Sequence, residues 1–485
     1  MLNVLEILWY KFKPVFLPLF MVGFAFFIGS TSAKHPMYSI AMVGATLYTI
    51  CLFTKPTWMY FFMLLVCLDF FGFTSPEFMH LPGAFKLRDV CLLSLLVPVC
   101  LNIAADKKTL ERVKTPFNKY IFLLMLFVLF VVFYTVLEFG VSFITTLRIA
   151  RKYLFYLSFF IVMYLIKDEK TLKNFFNTLI FMGIFAALLM IAQFMLGTKV
   201  IIMPHTMVRY QQLGGFYVPR LYFKGAISLL MMMFSTCFWV YQTATSSKMR
   251  KRYFLLTMLF GIAVFLGFSR ARWAALAFSV IVPFFFVMRA ERKKVLWFII
   301  VGIFGITIAS LLIQLLGINI FSFYLKLYER IYSMFFDLIN QTGTFGYRME
   351  DSAMRIKYFL DRPLLGVGFL HYLSASESIK AVIVKDLFIE TVDSGIMTLL
   401  ITMGLCGLGM FLLIIFVFVK RCLKTIRMTT HPLLRGIAIG CFGYFAGGVL
   451  SFITLGFFTY VYELPYVALT FAFVEKINQL NRKHP

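Results

Sequence analysis

Apolar stretches of about 17 to 25 residues recur along the whole chain, and no other feature restricts its fold as much. Hydrocarbon offers backbone amides no partner, so each crossing of roughly 30 Å of bilayer calls for a helix of about that length. The stretches fall near residues 15–30, 37–53, 57–73, 90–105, 120–138, 153–166, 174–194, 221–242, 253–268, 273–288, 295–316, 394–419, 436–456 and 459–475. Of 485 residues, 61% are hydrophobic and only 14% charged, which leaves little material for a large water-soluble domain. The expected fold is all-α, a polytopic multi-pass membrane protein with about 14 transmembrane helices. Residues 1–485 form one integral domain, with a large helical loop at 318–392 inserted between two spans. The run from Pro14 to Gly29 is as long as the later spans and reads as a signal anchor.

The net charge of +26 has a topological reading. With about fourteen crossings both termini share a side, and that side receives DKKTLERVKTPFNK (106–119), SKMRKR (247–252), RAERKK (289–294), KRCLKTIR (420–427) and the tail NRKHP. These segments are short and basic, so this side is expected to be the cytoplasm. Much of the charge then serves orientation and attraction to lipid headgroups, and no nucleic-acid partner is expected.

Orientation does not explain the cations left on the outer side. They gather in TTLRIARKYL (145–154), in VRYQQLGGFYVPRLYFKG (208–225), in SRARW (269–273) and in the loop 318–392. Acidic residues are scarce in the first three segments, so an anionic ligand is the economical explanation. Within SRARW, Arg270 and Arg272 point about 200° apart on a helix, which keeps them from sharing one pocket. Arg272 beside Trp273 reads as a guanidinium snorkelling to the interface, and on that reading Arg272→Lys is neutral. Arg148, Arg151 and Lys152 read as headgroup anchors. In the loop, FSFYLKLYERIYSMFFDLI (321–339) suits the membrane interface, and Arg348, Arg355 and Arg362 recur every seven residues on nearly one helix face that Pro363 should end. Glu350, Asp351 and Asp361 offer a plainer account of that stripe as a solvated, ion-paired surface.

Other chemistries lack their signatures. The eight cysteines map within spans or near their ends, with neither a disulfide framework nor zinc spacing. The six histidines form no HxH or HxxxH pair. There is no P-loop, no GxGxxG after a strand and no GxSxG elbow. No cofactor and no metal are expected. Glycines 436, 440, 443 and 447 read as close helix packing. Asp69, within an expected span, is a functional candidate by its location and has Arg88 as a possible partner.

SRARW between two spans, then YRMEDSAMRIKYFLDRPLLGVGF in the outer loop, then IETVDSGIMTLLITMGLCGLGMFLL, resembles the bacterial O-antigen polymerase and O-antigen ligase superfamily over roughly residues 200 to 420. Arg272 departs from that pattern, since a small residue is common at its position. The resemblance implies a GT-C-like membrane glycosyltransferase in the bacterial inner membrane, with cytoplasmic termini and an active site facing the periplasm. Its donor and acceptor would be undecaprenyl diphosphate-linked glycans, its surroundings membrane lipids, and its associates a flippase and a chain-length regulator. It implies a metal-independent reaction in which outer-face arginines meet the diphosphate. Arg270 matches the family arginine, and Arg220, Arg209, Arg348 and Arg355 are the other expected contacts, with Arg272 beside them.

The general base is less defined. Family ligases carry a histidine where this chain has VDSG, so Asp393, Glu390 one turn earlier, and His371 in GVGFLHY are the candidates. Asp393 has an alternative role as a cap for the following helix. The missing histidine favours a polymerase of lipid-linked repeat units over a ligase transferring a finished glycan. A lipid-linked oligosaccharide flippase is the rival from another class, but the chain has no repeated halves.

Overall fold

The structure, a computed structural model, describes residues 36–68, 86–197, 207–213, 216–222, 225–267, 269–315, 359–370, 394–454 and 456–483, with isolated positions between them. It is a bundle of helices: α1 (Pro36–Thr54), α2 (Pro56–Leu68), α3 (Leu87–Ala105), α4 (Lys107–Val113), α5 (Asn118–Phe139), α6 (Phe143–Ala150), α7 (Ser158–Leu165), α8 (Glu169–Leu196), α9 (Ala226–Thr243), α10 (Ser247–Phe265), α11 (Arg270–Phe284), α12 (Arg289–Leu315), α13 (Gly395–Met428), α14 (Pro432–Thr454) and α15 (Leu464–Lys483). A 3₁₀ segment, Arg151–Leu157, joins α6 to α7. The apolar stretches expected from residue 37 onward overlap these elements, but 153–166 is divided between the 3₁₀ segment and α7, and 459–475 begins in a turn, with α15 starting only at Leu464. Among the described residues, six helices (α3, α5, α8, α9, α13 and α14) are long and apolar enough to cross a membrane. The stretch 15–30 lies outside the described residues.

The departure from an all-helical chain is an antiparallel hairpin, β1 (Met207–Leu213) with β2 (Phe216–Tyr222). It occupies the start of the stretch expected to be a span from 221, so α9 begins only at Ala226.

Helix α9 is the axis of the bundle. In its apolar window 94% of the residues are buried within the protein, against 33% for α5, which turns most of its surface outward. Its close neighbour is α14, and the glycines of α14 explain the fit. A Cβ on Gly436 or Gly440 would overlap the α9 backbone at Val240 or Thr236, and one on Gly443 or Gly447 would overlap the α11 carbonyls of Ser279 or Ala275. Thus 436 and 440 serve α9, 447 serves α11, and 443 lies against both. The close approach lets side chains bond across: Ser235 donates to the Gly440 carbonyl at 2.8 Å, and the Trp239 indole donates to the Ser279 carbonyl at 3.2 Å. Gly440→Leu is therefore expected to destabilise the protein by about 1–3 kcal/mol, seen as a lowered unfolding midpoint in detergent, whereas Gly409→Ala, with open space around it, leaves the midpoint unchanged.

The helix ends sort into two groups. At one, Glu291 in the RAERKK turn accepts from Arg435 of α14 at 2.8 Å, Lys476 of α15 donates to the Arg112 carbonyl at 3.0 Å, and Glu475 receives a two-pronged bond from Arg421. Segments expected to share the basic side thus meet at one end. At the other end lie the hairpin, the start of α11 and the 456–463 turn.

Helix α13 carries a break that the loop motif repairs. Gly404 has φ 61° and ψ −159°, a conformation almost confined to glycine. The polar groups released by the break are taken up by PLLGVGF: Val367 N–H donates to the Ile401 carbonyl at 2.7 Å, and Leu405 N–H donates to the Pro363 carbonyl at 2.8 Å. Gly366 and Gly368, at φ 68° and 75°, let this segment pass against α13 and against Thr135 of α5. The helix before Pro363 ends at Asp361, as expected.

Candidate active site

The 456–463 turn, between α14 and α15, gathers the site. Its last two residues, Tyr462 and Glu463, face arginines from two different helices. The Arg88 guanidinium of α3 lies over the Tyr462 ring, 4.7 Å from its centre. Arg272, in the first turn of α11, forms an ion pair with Glu463, both side chains being more than nine-tenths buried. Its other nitrogen approaches the Met231 sulfur at 3.8 Å. Farther along, Asp89 sits between Arg88 and Arg151, at 3.8 and 3.4 Å. The Tyr156 hydroxyl donates to the Phe458 carbonyl at 3.1 Å and holds the turn against the 3₁₀ segment.

This arrangement corrects two expectations. Arg272 does not snorkel: it is 7% exposed and balanced by a carboxylate. Its neighbour Trp273 is half-buried, with its ring stacked on Phe265 at 4.7 Å. Arg151 is not an outward headgroup anchor but turns inward onto Asp89, whereas Arg148 is exposed and fits that description.

Arg270 is the first residue of α11, half-buried, one turn edge away from the buried pair. The hairpin reaches the same corner. A Cβ on Gly267 would lie 3.7 Å from the carbonyl oxygen of Leu221, and the residue before Leu221, Arg220, is the register partner of Arg209. The backbone therefore brings the positions of Arg209, Arg220 and Arg270 to one corner, beside the Arg272 and Arg88 contacts. Arg348, Arg355, His371, Glu390, Asp393 and Asp69 lie outside the described residues. The N-cap of α13 is Ser394, whose hydroxyl accepts from Met397 N–H at 3.4 Å, so the capping role considered for Asp393 is filled by its neighbour. Arg362 donates to Glu138 at 2.6 Å and to the Tyr134 hydroxyl at 3.0 Å, and it lies over the Phe139 ring, which ties the loop end to α5.

Two features at this end were not expected from the sequence. One is Glu463, whose second carboxylate oxygen has no hydrogen-bond partner although it is buried. The other is Arg88, 4% exposed, whose Nε and one terminal nitrogen make no hydrogen bond although Asp89 lies 3.8 Å away. A buried guanidinium with unused donors can take an anionic oxygen, whereas the bare Glu463 oxygen can only accept from a donor such as a hydroxyl. The signal for Glu463 was present: it is an acidic residue between two apolar runs, where a carboxylate calls for a partner.

Fold and site together define a multi-pass helical membrane protein with a cationic cluster at one end of the bundle. A family model described as O-antigen ligase matches residues 253–412, from α10 into α13, about a third of the chain. That match supports the O-antigen ligase and polymerase superfamily and covers SRARW, PLLGVGF and the start of α13. Arg272 lies within the matched segment, and its partner Glu463 outside it. No curated protein matches the chain.

Proposed function

We propose that this protein is a metal-independent membrane glycosyltransferase that polymerises undecaprenyl diphosphate-linked repeat units of a surface polysaccharide at the periplasmic face of the bacterial inner membrane. The observation that carries the reading is the convergence of the Arg209, Arg220 and Arg270 backbone positions on one corner. The acceptor hydroxyl attacks the anomeric carbon of the donor glycan, a glycosidic bond forms, and the carbon–oxygen bond to the diphosphate breaks. Charge then grows on the departing polyprenyl diphosphate. Guanidinium groups fixed beside it stabilise that charge more in the transition state than in the ground state. The proton of the acceptor hydroxyl passes to Asp393, Glu390 or His371.

The test is to incubate purified protein with a polyprenyl diphosphate-linked repeat unit and to follow released polyprenyl diphosphate with and without chelator. Release that persists in chelator supports the reading; strict dependence on a divalent cation contradicts an arginine-only diphosphate site. Ligase activity is the second reading, favoured by the description of the matching family.

Sidedness has its own test. In a cysteine-free background, Lys293→Cys in the basic turn is labelled from the cytoplasm, and a cysteine in β1 is labelled from the outside. Labelling of Lys293→Cys from the outside alone inverts the topology.

A further inference from the structure

At the basic end of the bundle, remote from the arginine cluster, α9, α10 and α12 enclose a cavity of about 800 Å³. Its walls change character along their length. Near the helix ends stand Arg250 of α10 and Lys294 of α12, both exposed. Deeper in, the lining is Phe254, Trp297, Phe298 and Val301, and the far wall is Gly302. From Lys294 to Gly302 the axial rise is about 12 Å. Trp297 is 67% exposed and Val301 59%, so the cavity opens onto the apolar outer surface of the bundle and not onto a closed core.

Gln242, 1% exposed at the end of α9, forms the wall beside Lys294. Lys294 is held in place by donating to the Gln242 backbone carbonyl at 2.9 Å, which leaves its other two N–H groups for an anion. The acidic residue of the same turn, Glu291, is engaged with Arg435 and does not neutralise Lys294.

We propose that this cavity binds an anionic glycerophospholipid. Its phosphate sits between Arg250 and Lys294, and an acyl chain lies along Phe254, Trp297 and Val301. Cations at the interface followed by an aromatic slot of that depth fit a lipid, and basic pockets between transmembrane helices recognise such headgroups. A sugar or nucleotide would find its hydroxyls facing aromatic and aliphatic walls. The site is independent of the proposed transfer reaction.

The test is native mass spectrometry of the purified protein titrated with phosphatidylglycerol, or with phosphatidylcholine of the same acyl chains. Phosphatidylglycerol is expected to bind more tightly. Arg250→Gln should weaken it roughly five-fold, and Arg250→Gln with Lys294→Gln roughly twenty-five-fold, by the contribution of each interfacial cation. Gly302→Phe places a ring in space where an added Cβ meets nothing within 4 Å, so it should abolish binding while leaving the lipid-free unfolding midpoint unchanged. If Gly302→Phe fails to fold, the two charge variants decide. Equal binding of the two lipids, or retention of phosphatidylglycerol by the charge variants, overturns the proposal. Displacement by inorganic phosphate as effective as by the lipid reduces the site to a phosphate site and also overturns it, as does preference for a polyprenyl phosphate.

Discussion

Glu463→Ala is expected to destabilise the folded protein by about 3–5 kcal/mol, because it leaves the Arg272 guanidinium charged and alone in a buried position. The Arg272–Glu463 pair connects the start of α11 to the turn before α15, so the loss should also loosen the corner that carries Arg270. Arg272→Lys is expected to damage stability in the same direction, though less. An ammonium retains the charge but has no planar fork to reach Glu463 and Met231 together. That reverses the neutral outcome expected of an interfacial arginine. Replacing both partners, Arg272→Met with Glu463→Leu, should recover most of the lost stability, since an apolar pair of similar bulk often substitutes for a buried ion pair. Unfolding midpoints in detergent decide the matter. A Glu463→Ala midpoint equal to that of the unaltered protein contradicts the pairing. If the double variant regains stability but transfers no glycan, the pair contributes to the reaction as well as to the fold.

The second large effect concerns Arg270. With the diphosphate at the hairpin corner, Arg270→Ala should reduce turnover about a hundredfold to a thousandfold, equivalent to roughly 2.7–4 kcal/mol of transition-state stabilisation, while the unfolding midpoint stays close to that of the unaltered protein. Arg270→Lys should lose most of that turnover as well, because a point charge does not fork onto phosphate oxygens. Normal turnover by both variants removes Arg270 from the site and leaves it as a helix-end residue.

The placement of these residues shows what a linear chain reveals. The helices were legible because hydropathy is local: a span such as 120–138 declares itself within its own length, and α5 covers it. The glycines of α14 were legible as packing because their spacing alone puts them on one face. That they serve two different helices was not, since spacing does not name neighbours. The hairpin has a local signal, since Gly214 and Gly215 separate two stretches with aromatic residues, but the apolar run that follows from 221 masks where the strand ends and the helix begins. Glu463 was absorbed into an apolar run and its partner lies 191 residues away, a pairing that no local pattern reports. The PLLGVGF motif was readable as a family feature. Its physical work, completing the backbone bonds of α13 across the break at Gly404, depends on a contact between segments about forty residues apart.

The most direct test of the proposed polymerase is the length distribution of its product. Purified protein in liposomes is given a polyprenyl diphosphate-linked repeat unit as both donor and acceptor, and the glycans are separated by size. The polymerase reading predicts a ladder in which successive rungs differ by one repeat unit, with Arg270→Ala reducing every rung. A single transfer to a separate lipid or protein acceptor, with no ladder under any condition, contradicts it and supports the ligase reading.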